Sequence, residues 1–232
     1  VIFGNTADME MTKLIADSFN LKIIADTTEA LGTYYTEGIY KGRYAGTIGD
    51  IGVFSFNGNK IITTGGGGMI VSDNEDYLNR CRYLSTQAKN DTVYFVHDEI
   101  GYNYRMTNIQ AALGLAQLEQ LEKFISVKKE NYYEYQNQGI QLLPFRTNIR
   151  PNYWFYSYIT EERDNLLDAL NKQGIQTRPV WKLIHTQKPY EKSQSYKINR
   201  ALYYYEHILN LPCSSNLSKD DIVTVSSVIL NF

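Results

Sequence analysis

The residues with the most potential for chemistry surround Lys60, which lies between an apolar segment, residues 51–56, and a run of four glycines, residues 65–68. A lysine amine can form a Schiff base with a carbonyl compound. The glycines let the backbone approach a ligand closely, and the hydroxyls of Ser55 and of residues 63 and 64 can donate hydrogen bonds to phosphate oxygens. The segment is a candidate site for covalent chemistry beside a phosphate; the alternative is a solvated lysine in a flexible loop.

Two familiar phosphate-binding motifs do not fit this segment. In a Walker A loop the lysine follows the glycines, whereas Lys60 precedes them, and no Gly-x-Gly-x-x-Gly joins a strand to a helix here. The sequence therefore disfavours the binding of nucleoside triphosphates and of NAD.

Asp26 is a second candidate, because it follows a short apolar segment, residues 21–25. A carboxylate in that position can pair with the ring nitrogen of a pyridine cofactor and keep the nitrogen protonated, so that the ring accepts electrons. The alternative is an aspartate that caps a turn.

The elements around these residues alternate as βαβ units do around a parallel sheet. Residues 21–25, 51–56 and 69–71 are predicted to be strands, and apolar residues recur at helical spacing between residues 8 and 20. Open α/β sheets bind ligands at the carboxyl ends of their strands. We therefore expect a mostly parallel sheet with a site at that edge.

A long helix is predicted to link this domain to a second, smaller one. It begins at Thr107, because residues 107–110 match a capping box, and its apolar spacing continues past Lys129. Beyond it, a strand and three helices predict a small α+β domain: a strand at 153–159 and helices at 163–173, 196–209 and 220–230. The predicted domains are residues 1–128 and 129–232.

Composition restricts the function further. The 232 residues are 43% hydrophobic and carry 23 basic and 25 acidic side chains, so the net charge of −2 gives no field to attract nucleic acid or anionic membrane. No apolar run reaches the roughly 20 residues of a membrane helix. Two cysteines without metal spacing favour a reducing, cytoplasmic setting, and the three histidines show no metal-ligand spacing.

These segments, in this order, resemble the DegT/DnrJ/EryC1/StrS family of sugar-nucleotide aminotransferases along the whole chain. The resemblance rests on residues 23–26 with 29–32, on 49–56, on Lys60 with its glycines, on 101–106 and on 177–181. The sequences of residues 84–89 and 181–185 are most similar to the branch that makes 4-amino sugars for legionaminic-acid-type nonulosonic acids.

The resemblance implies a fold-type-I pyridoxal phosphate enzyme in which Lys60 holds the cofactor as a Schiff base and also transfers protons. Asp26 then matches the partner of the pyridine nitrogen, and Ser55 a hydroxyl on the cofactor phosphate. Asn103 matches an amide that reaches the cofactor of a neighbouring subunit, which implies a homodimer. Glu29 stands near the ring, where the family usually has Gln or His.

The resemblance also implies a substrate and a reaction. Glutamate is the expected amino donor, and the acceptor is a nucleotide-linked 4-keto-6-deoxy sugar, in amino-sugar or surface polysaccharide biosynthesis. Candidate substrate residues are Arg105, Arg178, Trp181 and His185. No metal is expected.

One departure from the family concerns the start of the chain. The family's glycine- and hydroxyl-rich turn that holds the cofactor phosphate at a helix N-terminus has no match here, so we expect a truncated large domain. Two alternatives stay open: a non-catalytic or regulatory sugar-nucleotide-binding protein on the same scaffold, and a same-fold sugar dehydratase. In the dehydratases a histidine replaces the lysine, so Lys60 favours amino transfer.

Overall fold

The computed structural model describes residues 1–91 and 93–232, which form two compact units. The first unit comprises Val1–Ile125 and Phe145–Trp154, and the second comprises Ser126–Pro144 and Phe155–Phe232. The segment 145–154 thus returns to the first unit after the chain has entered the second. The domain boundary expected after residue 128 remains a prediction.

The elements of the first unit include the predicted helix and strands around Lys60. In chain order they are α1 (Met9–Ser18), β1 (Ile24–Asp26), β2 (Tyr34–Tyr35), β3 (Ile51–Ser55), β4 (Gly68–Val71), α2 (Glu75–Ser85), α3 (Asn108–Leu118), the first turn of α4 (Leu121–Asn137) and β5 (Ile149–Arg150). One sheet has the order β1-β3-β4, and β2 pairs with β5. Strands β1 and β3 are parallel, whereas β3 and β4 are antiparallel, so this sheet is mixed.

Strand β3 is the central strand of that sheet and leads directly to Lys60. Its side chains alternate between the two faces, with Gly52 and Phe54 buried. A Cβ at Gly52 would lie 2.0 Å from the carbonyl oxygen of Gly46, so only glycine allows the loop to cross this strand so closely. Ser55, the last residue of β3, lies on the opposite face from Phe54.

The second unit contains the remaining elements. They are the rest of α4, β6 (Tyr156–Ile159), α5 (Arg163–Lys172), β7 (Arg178–Pro179), two 3-10 turns (Ile184–Thr186 and Lys188–Tyr190), α6 (Asn199–His207), β8 (Ile208–Leu211) and α7 (Lys219–Leu230). The strands form an antiparallel sheet in the order β6-β8-β7. Leu166 and Leu170 of α5 and Ile222 of α7 are buried in the core of this unit.

The long linking helix is predicted correctly at its start and wrongly in its length. Thr107 caps α3 in a capping box with Gln110, as the sequence predicts. The helix is then interrupted between Leu118 and Leu121. The side-chain amide of Gln120 donates to the carbonyl of Ala116, while its backbone N–H turns to the carbonyl of residue 117. The Gln120 side chain therefore occupies the Ala116 carbonyl, which the Gln120 backbone N–H would bind in a continuous helix.

The predicted helix at 196–209 is also too long. The helix ends at His207, and Ile208–Leu211 form β8, whose residues are all buried. This strand lies between β6 and β7, and a central strand that is covered on both faces is a continuous apolar run. Such a short run cannot be told from the end of an apolar helix by periodicity.

Candidate active site

Lys60 lies in a largely enclosed position in the first unit. Its side chain is only 13% exposed, and its Nζ lies 3.8 Å from Oε1 of Glu29, which is itself 12% exposed. The same Nζ lies 4.4 Å from the centre of the Trp154 ring. A charged amine so little exposed needs partners for its charge, and a carboxylate and an aromatic face supply them here.

Trp154 was not predicted from the sequence, yet it contacts both Lys60 and the residue before it. Besides the ring contact, its indole N–H donates to the carbonyl of Asn59, the residue before Lys60, at 2.9 Å. Trp154 is 2% exposed. The available signal was the aromatic run at 153–155, because an indole that is buried usually needs an acceptor for its N–H.

Asn152 links the turn that carries Glu29 to the segment that carries Trp154. Its fully buried side-chain amide donates to the carbonyls of Glu29 and Leu31 at 2.9 and 3.0 Å, and its Oδ1 accepts the backbone N–H of Trp154 at 3.1 Å. Its own backbone N–H donates to the hydroxyl of Thr33 at 3.1 Å. Both groups around the Lys60 amine are therefore attached to one buried side chain.

Burial raises the pKa of Glu29 above its ordinary value, and this effect outweighs the effects that lower it. The backbone N–H of Phe3 donates to Oε2 of Glu29 at 2.8 Å, which favours the carboxylate, as does the charge of Lys60. The negative charge of nearby Asp26 adds to the increase. Lys60 and the backbone N–H of Phe3 thus favour the charged form of Glu29, against the effect of burial.

Asp26 and Ser55 lie at the carboxyl ends of the parallel strands β1 and β3, where the sheet predicts a ligand. Asp26 pairs in register with Val53, two residues before Ser55. The Asp26 carboxylate is exposed, and its Oδ1 accepts the backbone N–H of Thr28 at 3.1 Å. The Ser55 Oγ accepts the N–H of Asn57 at 3.2 Å, so its own hydrogen is still available to a ligand.

The hydroxyls of Thr63 and Thr64 do not have the role considered from the sequence. The Thr63 hydroxyl donates to the carbonyl of Phe56 at 3.1 Å, and the Thr64 hydroxyl donates to the carbonyl of Gly66. Both hydrogens are therefore used within the turn itself. They hold the glycine segment against the end of β3 and are not free for phosphate oxygens.

Asn103 and Arg105 lie in the segment before α3. Asn103 forms an antiparallel bridge with Thr86, and both Asn103 and Arg105 are exposed. Among residues 1–91 and 93–232, no hydrogen bond or ion pair joins either of them to Lys60. This placement neither tests nor contradicts a role toward a neighbouring subunit, which stays a prediction.

The other three predicted substrate residues belong to the second unit. Arg178 lies on β7 and is exposed, and His185 lies in the 3-10 turn Ile184–Thr186. Trp181 is 54% exposed, and its ring lies 6.0 Å from that of Phe155. Their roles toward a substrate remain predictions.

Metal-binding groups and membrane-spanning helices are two further features to consider. In the described part of the chain, no group of three or more His, Cys, Asp or Glu side chains is placed to hold a metal ion. Over the same residues, none of the helices is long and apolar enough to cross a membrane.

Comparison with known proteins identifies the relatives of this chain. A model of the DegT/DnrJ/EryC1/StrS aminotransferase family matches residues 1–230. GDP-perosamine synthase of Escherichia coli O157:H7 is 41% identical over an alignment of 238 positions that covers 100% of this chain and 64% of that protein. EpsN of Bacillus subtilis, whose name describes a pyridoxal phosphate-dependent aminotransferase, is 34% identical over an alignment of 242 positions that covers 99% of this chain and 61% of that protein.

A solved structure shows the same fold. The crystal structure of a DegT DnrJ EryC1 StrS aminotransferase from Brucella abortus superposes with a TM-score of 0.89 at 26% identity, covering 100% of this chain and 62% of that one. The predicted α/β fold of fold type I is thereby confirmed, as is the predicted family. The chain spans less than two thirds of the length of these relatives. None of these findings tests the narrower resemblance to the legionaminic-acid branch.

Proposed function

Because this chain belongs to the DegT/DnrJ/EryC1/StrS aminotransferase family, we propose that it takes part in the pyridoxal phosphate-dependent transfer of an amino group to a nucleotide-linked 4-keto-6-deoxy sugar. The observation that carries the proposal is the enclosed amine of Lys60, with Asp26 and Ser55 at the ends of the strands that precede it. Glutamate is the proposed amino donor.

The residues present fit the cofactor. A pyridine ring nitrogen needs a carboxylate, which Asp26 offers in an exposed position, and a phosphate needs donors, of which the Ser55 hydroxyl is one. A Cβ at Gly65 or Gly66 would meet no atom within 4 Å, so there is open space beside the turn. When bound, pyridoxal phosphate supplies an electron-accepting ring that stabilises negative charge on the substrate carbon.

The chain's own residues then have separate tasks. Lys60 binds the cofactor covalently through Nζ and, once released, carries the proton to and from the reacting carbon as general acid and base. Asp26 holds the proton on the ring nitrogen. Glu29 stabilises the ammonium form of Lys60 when the amine is free, since the two groups are 3.8 Å apart.

The nucleotide that we propose is GDP, because the relative at 41% identity is named GDP-perosamine synthase. The product is then a GDP-linked amino sugar. The cytoplasmic setting expected from the cysteine content stays part of this proposal.

A homodimer is the proposed assembly. Helix α3 has no buried residue, and Ile109 is 84% exposed with Leu113 one turn further along at 46%. Exposed apolar faces of this kind commonly mark interaction sites. The preceding segment contains Asn103, whose family role is toward a neighbouring subunit. Light scattering of the wild type and of Ile109→Glu tests the assembly: a dimer that becomes a monomer supports it, and a monomeric wild type contradicts it.

The reaction is tested with purified protein, pyridoxal phosphate, glutamate and a GDP-linked 4-keto-6-deoxy sugar. We expect an amino sugar nucleotide by mass spectrometry, and none from Lys60→Ala, while the exposed-lysine control Lys41→Ala keeps its activity. Normal turnover by Lys60→Ala contradicts the role of Lys60. Conversion of only the UDP-linked substrate corrects the nucleotide, and loss of a sugar oxygen without gain of nitrogen identifies a dehydratase.

A further inference from the structure

We propose that Trp154 is a positioning residue for Lys60: its indole N–H fixes the backbone before the lysine, and its ring holds the amine beside Glu29. The amine is then oriented before any cofactor arrives. This inference rests on the proposed function in one respect only, that Lys60 is the residue that takes the cofactor.

The backbone part of the inference follows from the hydrogen bond to Asn59. The segment after β3 is a turn in which residues 57–59 are exposed, and its own hydrogen bonds are local, such as the one from the N–H of Lys60 to the carbonyl of Asn57 at 3.0 Å. The indole of Trp154 donates to the carbonyl of Asn59 at 2.9 Å, one peptide unit from the Cα of Lys60. This bond attaches the exposed turn to a residue that is 2% exposed.

The side-chain part follows from the position of the ring. The Lys60 Nζ lies 4.4 Å from the centre of the Trp154 ring and 3.8 Å from Oε1 of Glu29. An ammonium group within about 6 Å of an indole face is attracted to it, and tryptophan gives the strongest contact of this type. The lysine side chain, with four rotatable bonds, is thereby restricted to one region.

Asn152 connects the two residues that surround the Lys60 amine, Glu29 and Trp154. It binds the carbonyl of Glu29 and the backbone N–H of Trp154 with the same buried amide. Tyr153, between Asn152 and Trp154, has a φ of +53°, a conformation that a tyrosine rarely adopts. The hydrogen bonds on both sides of Tyr153 hold the strained backbone in place, and this turn directs the Trp154 ring at Lys60.

The test compares Trp154→Leu, which removes ring and N–H, with Trp154→Phe, which keeps an aromatic face and loses the N–H. Tyr196→Phe, at an exposed tyrosine of the second unit, is the control for an aromatic substitution outside the site. The first readout is the rate at which a small amine-reactive reagent labels Lys60 in cofactor-free protein, measured by peptide mass spectrometry. Exposed Lys41 is the internal standard, and Lys128, which is 6% exposed, reports unfolding of its own unit. Circular dichroism checks that the whole protein is folded.

We expect Trp154→Leu to label Lys60 roughly 2- to 30-fold faster than wild type, the range that an ammonium–indole contact corresponds to, with Lys41 and Lys128 unchanged. Trp154→Phe should lie between, and Tyr196→Phe should equal wild type. The second readout is the affinity for pyridoxal phosphate, which should fall in Trp154→Leu although Lys60 is more accessible. A merely structural role predicts that both readouts follow the loss of unfolding free energy, so the urea unfolding of each variant is measured beside them. Positioning predicts that Trp154→Phe changes labelling and affinity at an unfolding free energy close to that of wild type.

Folded Trp154→Leu that labels Lys60 at the wild-type rate overturns the inference. The proposed function fails separately, because the labelling readout needs no cofactor. Wild type that binds no pyridoxal phosphate refutes the cofactor assignment, and in that case faster labelling in Trp154→Leu still supports the positioning of Lys60.

Discussion

Asn152→Ala tests whether one buried side chain holds the candidate site together. The substitution removes two donated hydrogen bonds and one accepted bond from a fully buried amide. Each such bond contributes about 1 kcal/mol on balance, so the expected loss is about 3 kcal/mol. That is a large part of the roughly 5–15 kcal/mol by which proteins are stable.

The assay is urea unfolding followed by circular dichroism, with Asn79→Ala as the control. Asn79 is an exposed residue of α2 whose side chain accepts a bond from Arg82 at the surface, and its substitution should change stability by less than about 0.5 kcal/mol. A loss below about 1 kcal/mol for Asn152→Ala would contradict the proposed role of this side chain.

Three further predictions concern pH, the second core and a helix cap. Burial raises the pKa of Glu29 in the folded protein. At pH values between the ordinary glutamate pKa and this raised pKa, the native state binds more protons than the unfolded state, so the unfolding free energy should fall as pH rises. Glu29→Gln should remove this slope in pH-dependent urea melts. Tyr135→Phe should cost about 1–3 kcal/mol in the same assay, because the buried phenol donates to the carbonyl of Pro212 at 3.1 Å, whereas exposed Tyr133→Phe should cost less than about 0.5 kcal/mol. Thr107→Ala should cost about 1 kcal/mol by removing the cap of α3, and an unchanged melting temperature would contradict this.

The sequence predicts the parts of the site that lie on regular elements. Strands β1 and β3 have the apolar runs expected of them, and parallel pairing brings their ends, with Asp26 and Ser55, to one edge of the sheet. Lys60 follows in the glycine-rich turn as predicted. Local pattern is enough in these cases because neighbouring residues along the chain specify each element.

What the sequence does not predict depends on contacts between distant residues. Trp154 donates to Asn59, beside Lys60, across 95 positions of the chain, and Asn152 donates to Glu29 across 123. No periodicity or spacing records such contacts. The threonine hydroxyls at 63 and 64 were misassigned for a related reason: a hydroxyl available in the sequence can be satisfied by a nearby carbonyl once the turn forms.

The ends of helices α3 and α6 also depend on contacts that the sequence pattern does not record. The cap at Thr107 is local and is confirmed, but the end of α3 depends on whether the Gln120 amide turns back to Ala116. The end of α6 depends on the pairing of Ile208–Leu211 with two other strands. Apolar residues continue the pattern in both cases, so only the tertiary structure determines where the helix stops.

The central claim is that Lys60 is the residue that holds pyridoxal phosphate, and borohydride reduction tests it most directly. The purified protein is incubated with pyridoxal phosphate and reduced, and the modified peptides are mapped by mass spectrometry, with Lys60→Arg treated in parallel. We expect a phosphopyridoxyl group on Lys60 and none at that position in the variant. A reduced protein with Lys60 unmodified, or with the group spread over exposed lysines such as Lys41 to the same extent, would contradict it.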